Sequence, residues 1–390
     1  MIVPGLTIEE DPLQASFQLA SHTLDHRVVL APMTRMRASD SGIPHPRTAE
    51  YYAERTTPNS LLISEGIVIH PRGRGFPNTP GLYNDEQVQA WKPITRAVRD
   101  RGGVFFAQLW HVGRVSVPSQ TGGLPPLSST KSPLPGSHQL FGKNNIEEPY
   151  IESQAMSETD IKDVIQQFAN AAQNAIMAGF DGIEIHGGNG YLLDTFAHDN
   201  INDRTDAYGG CLENRLRFPL QVVDAIVAVI GRHRTAIRVA PFHVLQQTLD
   251  SDRIATFKQY VEELERRRLV YVHMVEPRYD QYSTEGAFSG KLEVVDLGER
   301  RCGDEFSLWT FRRILKSTPL VGAGGFDANS ARDAIAEGKV DLVAFGRHFT
   351  SNPDLPRRLF EGLPLTKYHR PTFYTPGMRG YLGWSAANRF

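Results

Sequence analysis

The sequence predicts an α/β fold, a single (β/α)8 TIM barrel, on three observations. Eight short apolar runs, rich in β-branched residues, recur along the 390 residues and are typical of buried strands. Segments with a helical period lie between them, and this alternation indicates parallel strands that are buried on both faces. A TIM barrel often exceeds about 250 residues as one unit, so the length requires no second domain. The predicted strands are residues 27–32, 61–66, 104–110, 182–186, 236–241, 270–275, 320–324 and 341–346.

The segments between these runs are predicted to be the helices that cover the barrel. The clearest one begins after Ser157, ends before Gly179 and carries its apolar residues on one face. Pro93 and Pro219 fall inside two of the other helices, where proline is usually unfavourable. Those other helices are predicted at residues 47–54, 86–99, 213–230, 252–267, 308–315, 327–336 and 353–360.

One long segment, residues 111–156, interrupts the alternation of strands and helices. It is rich in Pro, Gly and Ser and has no helical period, so we predict a loop insertion after the third strand. In a barrel this insertion would cap the C-terminal mouth, where active sites of this fold lie. Residues 278–290 are a second long loop of the same kind, and residues 365–390 are a C-terminal tail. With no internal repeat or linker, residues 1–390 are expected to form one domain.

The composition favours small-molecule partners. The net charge is −2 with both signs scattered, so no broad basic surface is available for a nucleic acid or a membrane. The two cysteines, Cys211 and Cys302, are far apart in the sequence, which disfavours an iron–sulfur cluster, a zinc site and a disulfide framework. We expect no metal, and a monomer or a homodimer.

The beginning of the chain carries acidic residues where a signal peptide needs an apolar run. These are Glu9, Glu10 and Asp11, and nothing later approaches eighteen consecutive apolar residues. The expected location is the cytoplasm.

The most concentrated group of catalytically able side chains follows the fourth strand. His186 ends that strand, and three glycines in the next four residues let the chain turn so that His186, Asn189 and Tyr191 converge. Neutral His and Asn can donate hydrogen bonds to a carbonyl oxygen, and a tyrosine can supply a proton. This pattern predicts a catalytic centre at the barrel mouth. No second ligand lies at metal-binding spacing from His186.

A phosphate site is predicted at the ends of the seventh and eighth strands. Gly324 and Gly325 end the seventh strand before Asp327, which caps a helix, and Gly346 and Arg347 end the eighth. Barrels bind phosphate at these places through backbone N–H groups and a helix N-terminus, and an arginine adds a bidentate cation. The ligand is therefore expected to carry a phosphate.

Five motifs follow one another in order along the chain. They are 31–37 (APMTRMR), 108–110 (QLW), His186-x-x-Asn189-x-Tyr191, 202–215 (NDRTDAYGGCLENR) and Gly346-Arg347. Together they resemble the old yellow enzyme family over residues 10–378. The resemblance implies FMN bound noncovalently in the barrel mouth, reduction of the flavin by NADPH or NADH, and hydride transfer to an activated alkene conjugated to a carbonyl or nitro group.

The resemblance also implies roles for single residues. Thr34 would bind the flavin carbonyl O4, and Arg238 would face the N1–C2=O edge, where its charge stabilises the reduced flavin. Pro32, Met33, Gly66 and Gln108 would lie along the isoalloxazine, and Gly324, Gly325, Gly346 and Arg347 would hold the FMN phosphate.

The remaining roles concern the alkene substrate. His186 and Asn189 would bind its carbonyl or nitro oxygen, and Tyr191 would protonate the carbon next to it, after hydride reaches the β carbon. Tyr374 and Trp110 would line the pocket. Leu245 stands where family members often place an aromatic residue, which leaves the acceptor open.

Three alternatives remain at this stage. Some relatives in alkaloid pathways lack the tyrosine and act as isomerases. A phosphate-binding barrel isomerase or aldolase would share the fold and would need a carboxylate or lysine at a strand end, for which Glu65 is the candidate. A non-catalytic flavin carrier would have no need of the group around His186.

Overall fold

A computed structural model of the protein describes residues 11–141, 146–277 and 307–387. Within these ranges the strands begin with a hairpin, continue with barrel strands and include short strands in the insertion. They are β1 (Phe17–Leu19), β2 (His22–Leu24), β3 (Val28–Leu30), β4 (Leu61–Val68), β5 (Val104–Trp110), β6 (Leu127–Ser128), β7 (Ser137–Leu140), β8 (Ile146–Pro149), β9 (Gln154–Ala155), β10 (Gly182–His186), β11 (Thr235–Val239), β12 (Val272–Val275), β13 (Leu320–Ala323) and β14 (Leu342–Phe345).

Eight parallel strands of the described chain close into a barrel. Their order is β3, β4, β5, β10, β11, β12, β13 and β14, and β14 pairs with β3 to complete the circle. Each corresponds to one of the eight apolar runs. The predicted (β/α)8 barrel is therefore confirmed.

The helices lie close to their predicted positions, with differences mainly at their ends. The described helices are α1 (Thr48–Glu54), α2 (Asp85–Arg99), α3 (Glu158–Met177), α4 (Leu192–Ala197), α5 (Leu212–Ile230), α6 (Arg253–Arg267), α7 (Trp309–Arg312), α8 (Ala328–Ala336), α9 (Arg347–Ser351) and α10 (Leu355–Glu361). Pro93 and Pro219 are accommodated inside α2 and α5, and Ser157 caps α3 with a capping box. Two short helices, α4 and α9, have no counterpart in the sequence prediction, because five or six residues show no clear period.

Side-chain alternation divides each barrel strand between the helix layer and the barrel interior. In β10, Ile183 and Ile185 pack with the helices, which leaves Glu184 and His186 on the interior side. The barrel interior towards the amino ends of the strands is apolar, with Val29 and Phe106 among its residues. Above it, towards the carboxyl ends of the strands, polar side chains begin.

The hairpin of β1 and β2 was not predicted, because strands of three residues carry almost no periodicity. Leu19 and Leu24 from this hairpin are fully buried in the same cluster as Val29, Leu61 and Leu342. Since Leu61 and Leu342 begin their strands, the hairpin covers the N-terminal end of the barrel.

The insertion between β5 and α3 contains more structure than the loop that the sequence predicts. Strand β6 pairs with β9, and β7 pairs with β8 in an antiparallel hairpin. His138 in this hairpin forms a hydrogen bond through Nε2 with the carbonyl oxygen of Gly75 at 2.6 Å, which ties the insertion to the barrel. The predicted loop 278–290 and Cys302 lie outside the described residues.

Candidate active site

A cavity of about 700 Å³ opens at the carboxyl ends of the barrel strands. The size is within the usual range for a small-molecule or cofactor site. All but one of the site residues predicted from the sequence line it, namely Pro32, Met33, Thr34, Gln108, Trp110, His186, Asn189, Tyr191, Arg238, Gly324, Gly325, Gly346, Arg347 and Tyr374.

Gly66 is the exception, and its environment explains why glycine is present. A Cβ atom at this position would lie 2.6 Å from Cε3 of Trp110, much closer than real Cβ contacts. Gly66 pairs with Gln108 just after a bulge in β4. The structure therefore places Gly66 behind the indole of Trp110 and not on the cavity wall.

Three aromatic rings meet at one side of the cavity. The rings of His186 and Tyr191 are edge to face, with centroids 4.9 Å apart, and Trp110 contacts Tyr191 in the same way at 5.0 Å. Trp110 also stacks against Phe76 on its other side. His186 and Trp110 are almost fully buried, whereas Tyr191 is half-buried. The tyrosine thus sits on a rigid aromatic support with part of its surface towards the cavity.

The glycines beside Asn189 are required because the loop packs closely on the segment after β11. A Cβ at Gly188 would lie 2.8 Å from the backbone N of Ala240, and one at Gly190 would lie 2.4 Å from Cβ of Gln246. Asn189 itself has φ +61°, a left-handed conformation that asparagine tolerates better than most residues. The loop is therefore held in one conformation by close packing.

The imidazoles of His186 and His243, which line the cavity, are neutral at physiological pH. Burial, then the positive charge of Arg238, hold the pKa of His186 well below its ordinary value of 6.5. The same two causes lower the pKa of His243 to about 4. The Nδ1 atom of His186 is buried and has no hydrogen-bond partner among the residues that the structure describes. A neutral imidazole donates one hydrogen bond and can polarise an oxygen without forming an ion pair.

A buried polar layer beneath the cavity was missed in the sequence. Gln108 donates from Nε2 to Glu184 at 2.8 Å, and His273 Nδ1 lies 2.9 Å from the other oxygen of Glu184. Glu184 and His273 are fully buried. The signal was available, because Glu184 is two residues before His186 on one strand and must point to the same side. Glu184 fixes the Gln108 amide so that its oxygen is directed away from the carboxylate.

At the opposite end of the cavity the backbone of two strand ends is exposed to a ligand. Gly324 has φ +113°, and a Cβ there would lie 2.8 Å from the backbone N and O of Glu276, so only glycine fits. Gly325 also has positive φ, at +82°. Arg347 follows Gly346 and donates to the hydroxyl of Tyr368 at 3.0 Å.

Asp327 changes one detail of the predicted phosphate site. Its carboxylate accepts from the backbone N of Asn329 and Ser330, so the N-terminus of α8 is already capped. Of the groups predicted to bind a phosphate, the glycine backbone and Arg347 remain. Sequence reasoning missed the tail segment 367–371, which also lines the cavity and brings Lys367, His369 and Arg370 to this end.

The comparisons with known proteins agree with this geometry. Residues 12–366 match the model of the NADH:flavin oxidoreductase / NADH oxidase family. The fold is similar to that of the old yellow enzyme homologue from Zymomonas mobilis, with a TM-score of 0.86 at 36% identity, covering 96% of this chain and 99% of that chain. The chain belongs to the old yellow enzyme family. It is an FMN-dependent NAD(P)H oxidoreductase of this type.

Other relatives cover nearly the whole chain. The protein is 44% identical over 375 residues to 12-oxophytodienoate reductase 7 of Oryza sativa subsp. japonica, which spans 94% of this chain and 92% of the relative. It is 40% identical to flavin oxidoreductase hxnT of Emericella nidulans over 97% of this chain and 98% of the relative. Morphinone reductase, solved in complex with tetrahydroNAD, has a TM-score of 0.86 at 34% identity, covering 96% and 98% of the two chains.

The residues of this old yellow enzyme relative fit FMN. Gly324 and Gly325 line the cavity with positive φ, so no side chain covers their backbone where a phosphate would bind, and Arg347 supplies charge at the same end. At the other end Gln108 and Arg238 offer a polar base below a planar ring system. The buried Nδ1 of His186 has no partner in the described part of the chain, which indicates that this wall is built for a polar ligand.

Glu65, the carboxylate that a barrel isomerase or aldolase would require, does not line the cavity. It is buried behind the segment after β3 and accepts a hydrogen bond from the backbone N of Arg35 at 3.2 Å. Burial raises its pKa to about 7. Glu65 therefore does not supply the catalytic base that a barrel isomerase or aldolase would need at the cavity.

Within the described ranges, no helix combines the length and the apolar character needed to cross a membrane.

Proposed function

We propose that the protein is an ene-reductase that reduces alkenes conjugated to a carbonyl or nitro group. The observation that carries the proposal is that His186, Asn189 and Tyr191 line one wall of the cavity whose other wall fits FMN. A flavin carrier would not need two hydrogen-bond donors and a phenol on the same wall. The rice relatives are reductases of an oxo compound, 12-oxophytodienoate, which supports a carbonyl-containing substrate for this protein as well.

FMN, when bound, would accept reducing equivalents from NADPH or NADH and supply the hydride that reaches the β carbon of the alkene. The morphinone reductase structure with tetrahydroNAD supports a nicotinamide as the reductant. We assign Gly324, Gly325, Gly346 and Arg347 to the FMN phosphate. Pro32, Met33, Thr34, Gln108 and Arg238 would contact the ring system, with Arg238 balancing negative charge.

His186 and Asn189 would bind the carbonyl or nitro oxygen of the substrate. Two neutral donors aimed at one oxygen stabilise the negative charge that develops there when hydride adds to the β carbon, and each such donor contributes on the order of 10²-fold in rate. The low pKa of His186 keeps the imidazole from carrying a charge of its own beside Arg238. Binding the oxygen also orients the alkene.

Tyr191 would deliver a proton to the α carbon. Its ring is fixed by contacts with Trp110 and His186, so the hydroxyl is held at a constant position relative to the oxygen-binding pair. A fixed general acid is effective because no rearrangement is needed at the moment of proton transfer. The presence of this tyrosine favours reduction over isomerisation.

The proposal is tested by the oxidative half-reaction. The purified holoenzyme is reduced anaerobically with NADPH and mixed in a stopped-flow instrument with 2-cyclohexenone, a nitroalkene or buffer, and flavin absorbance near ~450 nm is followed. We expect rapid reoxidation with the alkenes and none with buffer. Reoxidation that no enone, nitroalkene or unsaturated aldehyde accelerates would contradict the proposal.

A further inference from the structure

Asn189 makes a hydrogen bond to a residue that no motif of the sequence includes. Nδ1 of His243 lies 2.9 Å from Oδ1 of Asn189. Both residues line the cavity, and His243 is only 7% exposed. The contact joins the loop after β10 to the segment after β11 at the point where the substrate oxygen would bind.

The chemistry of the two groups fixes the position of one proton. An amide oxygen only accepts hydrogen bonds, so Nδ1 of His243 must carry the hydrogen in this contact. Since the pKa of His243 is about 4, the ring is neutral and holds a single N–H, which this contact uses. With its oxygen engaged by His243, Asn189 has its NH₂ group on the other side of the amide.

An asparagine amide without such a partner has two orientations of similar energy. One presents the NH₂ group to the cavity and the other presents the carbonyl oxygen, which would repel a developing negative charge on the substrate. The main chain alone does not select between them, because φ +61° at Asn189 fixes the Cα–Cβ direction and not the rotation of the amide. Selection requires a donor or an acceptor beside one edge.

The backbone keeps this donor in place. Gly188 packs on Ala240 and Gly190 packs on Gln246, so the two segments are locked on both sides of His243. In addition, the hydroxyl of Thr248 donates to the carbonyl oxygen of His243 at 2.9 Å. The imidazole and the amide therefore keep a constant relative position, as a positioning contact requires.

We propose that His243 is a positioning residue that sets the amide of Asn189 so that its NH₂ group donates to the substrate oxygen. This inference rests on the proposed function, because it assigns a cause to the oxygen-binding pair. His243 itself touches Asn189 and acts on the substrate through it. The tautomer with hydrogen on Nδ1 is the competent one.

The test measures binding of 4-chlorophenol to the oxidised holoenzyme. The phenol would bind as its phenolate, with the negative oxygen in the place of the substrate oxygen, and binding is followed by the long-wavelength charge-transfer band between phenolate and flavin. His243→Leu removes the donor, and His243→Asn restores an N–H group close to the place of Nδ1. We expect the Kd to rise about tenfold in His243→Leu, as when one hydrogen bond to a charged group is lost, and to stay within about threefold of wild type in His243→Asn. FMN content and melting temperature are measured for each variant to control for folding.

Asn189→Ala provides the background that separates positioning from general damage. In that background His243→Leu is expected to have no further effect on the Kd, because the amide it orients is absent. Equal losses in both backgrounds, or an unchanged Kd for His243→Leu alone, would overturn the inference while leaving the proposed function intact. A wild-type protein that gives no phenol band, or an Asn189→Ala variant that binds like wild type, would instead overturn the oxygen-binding pair itself.

Discussion

The imidazole of His186 and the phenol ring of Tyr191 meet at 84°, with their centroids 4.9 Å apart. The group that would bind the substrate oxygen and the group that would protonate the neighbouring carbon are thus in direct contact. Trp110 touches both rings, at 6.0 Å from His186 and 5.0 Å from Tyr191. The contacts among these three rings hold the spacing of the two groups, which would have to match the spacing of the oxygen and the α carbon in the proposed substrate.

Tyr191→Phe should separate the two half-reactions. The variant keeps the ring contacts and loses only the proton, so flavin reduction by NADPH is expected to remain near wild type. Reoxidation by an enone should slow by about 10²- to 10⁴-fold, the usual contribution of a placed general acid. Stopped-flow measurement of both steps tests this. Equal reoxidation rates in Tyr191→Phe and wild type would remove Tyr191 from proton transfer.

Arg347→Ala should weaken FMN binding by on the order of 10²-fold, because a charge-assisted contact to the phosphate is lost. The Kd is measured by quenching of FMN fluorescence on titration with apoprotein. Arg347→Lys keeps the charge without the bidentate geometry, so its Kd for FMN should lie between those of wild type and Arg347→Ala. If riboflavin, which has no phosphate, loses affinity to the same extent as FMN, Arg347 does not act on the phosphate.

Reoxidation by a non-ionising enone should be independent of pH between about pH 6 and pH 8. The pKa of His186 lies well below 6.5 because of burial and Arg238, so the ring stays neutral throughout this window. The rate constant for 2-cyclohexenone is measured with prereduced enzyme at each pH. A bend near pH 6.5 that disappears in His186→Asn would show that the imidazole titrates in this range.

Removal of the Glu184 carboxylate should destabilise the barrel interior. Glu184→Ala leaves Gln108 and His273 buried without their shared partner, at a cost of about 2–5 kcal/mol in the free energy of unfolding. Glu184→Gln keeps an acceptor for Gln108 and is expected to cost less than half as much. Urea unfolding of the FMN-saturated proteins measures both. Equal costs would mean that loss of the carboxylate charge, and not loss of an acceptor for Gln108, sets the effect.

Glu65 should make stability fall as the pH rises. Its pKa in the folded protein is about 7, above the ordinary 4.5, so the folded state holds the proton more tightly than the unfolded chain. The resulting stabilisation is complete below pH 4.5 and is lost as the pH rises through 7, a change of about 3 kcal/mol. Relative to Glu65→Gln, wild type should therefore be more stable at pH 5 than at pH 8 by roughly this amount. A stability difference that is the same at both pH values in urea unfolding would contradict the assignment.

The barrel and the residues at its mouth could be predicted because strand ends are visible in the sequence. His186 ends one apolar run and Arg347 directly follows another, and in a parallel barrel such positions all meet at one end. The family motifs include the same positions. They therefore suggested roles for these residues, but the location of the site was already predicted from the strand ends.

Contacts between distant segments could not be predicted in this way. His243 lies 54 residues from Asn189, and no periodicity links a loop residue to a partner in another loop. The bond of Arg347 to Tyr368 likewise depends on how the tail returns across the mouth. Within strands, Glu184 looks like an isolated polar residue until Gln108 and His273 are brought beside it by the register of β5, β10, β11 and β12.

The absence of a side chain at Gly66 has a consequence for how substrate selectivity can evolve. Any larger residue there would press on the indole of Trp110, since even a Cβ would lie 2.6 Å from it. Phe76, His186 and Tyr191 all contact this indole, so a displacement of Trp110 would press on these rings. A position outside the cavity can thus alter the spacing of the two groups that we assign to the substrate, and acceptor preference would then depend on a residue that the acceptor does not touch.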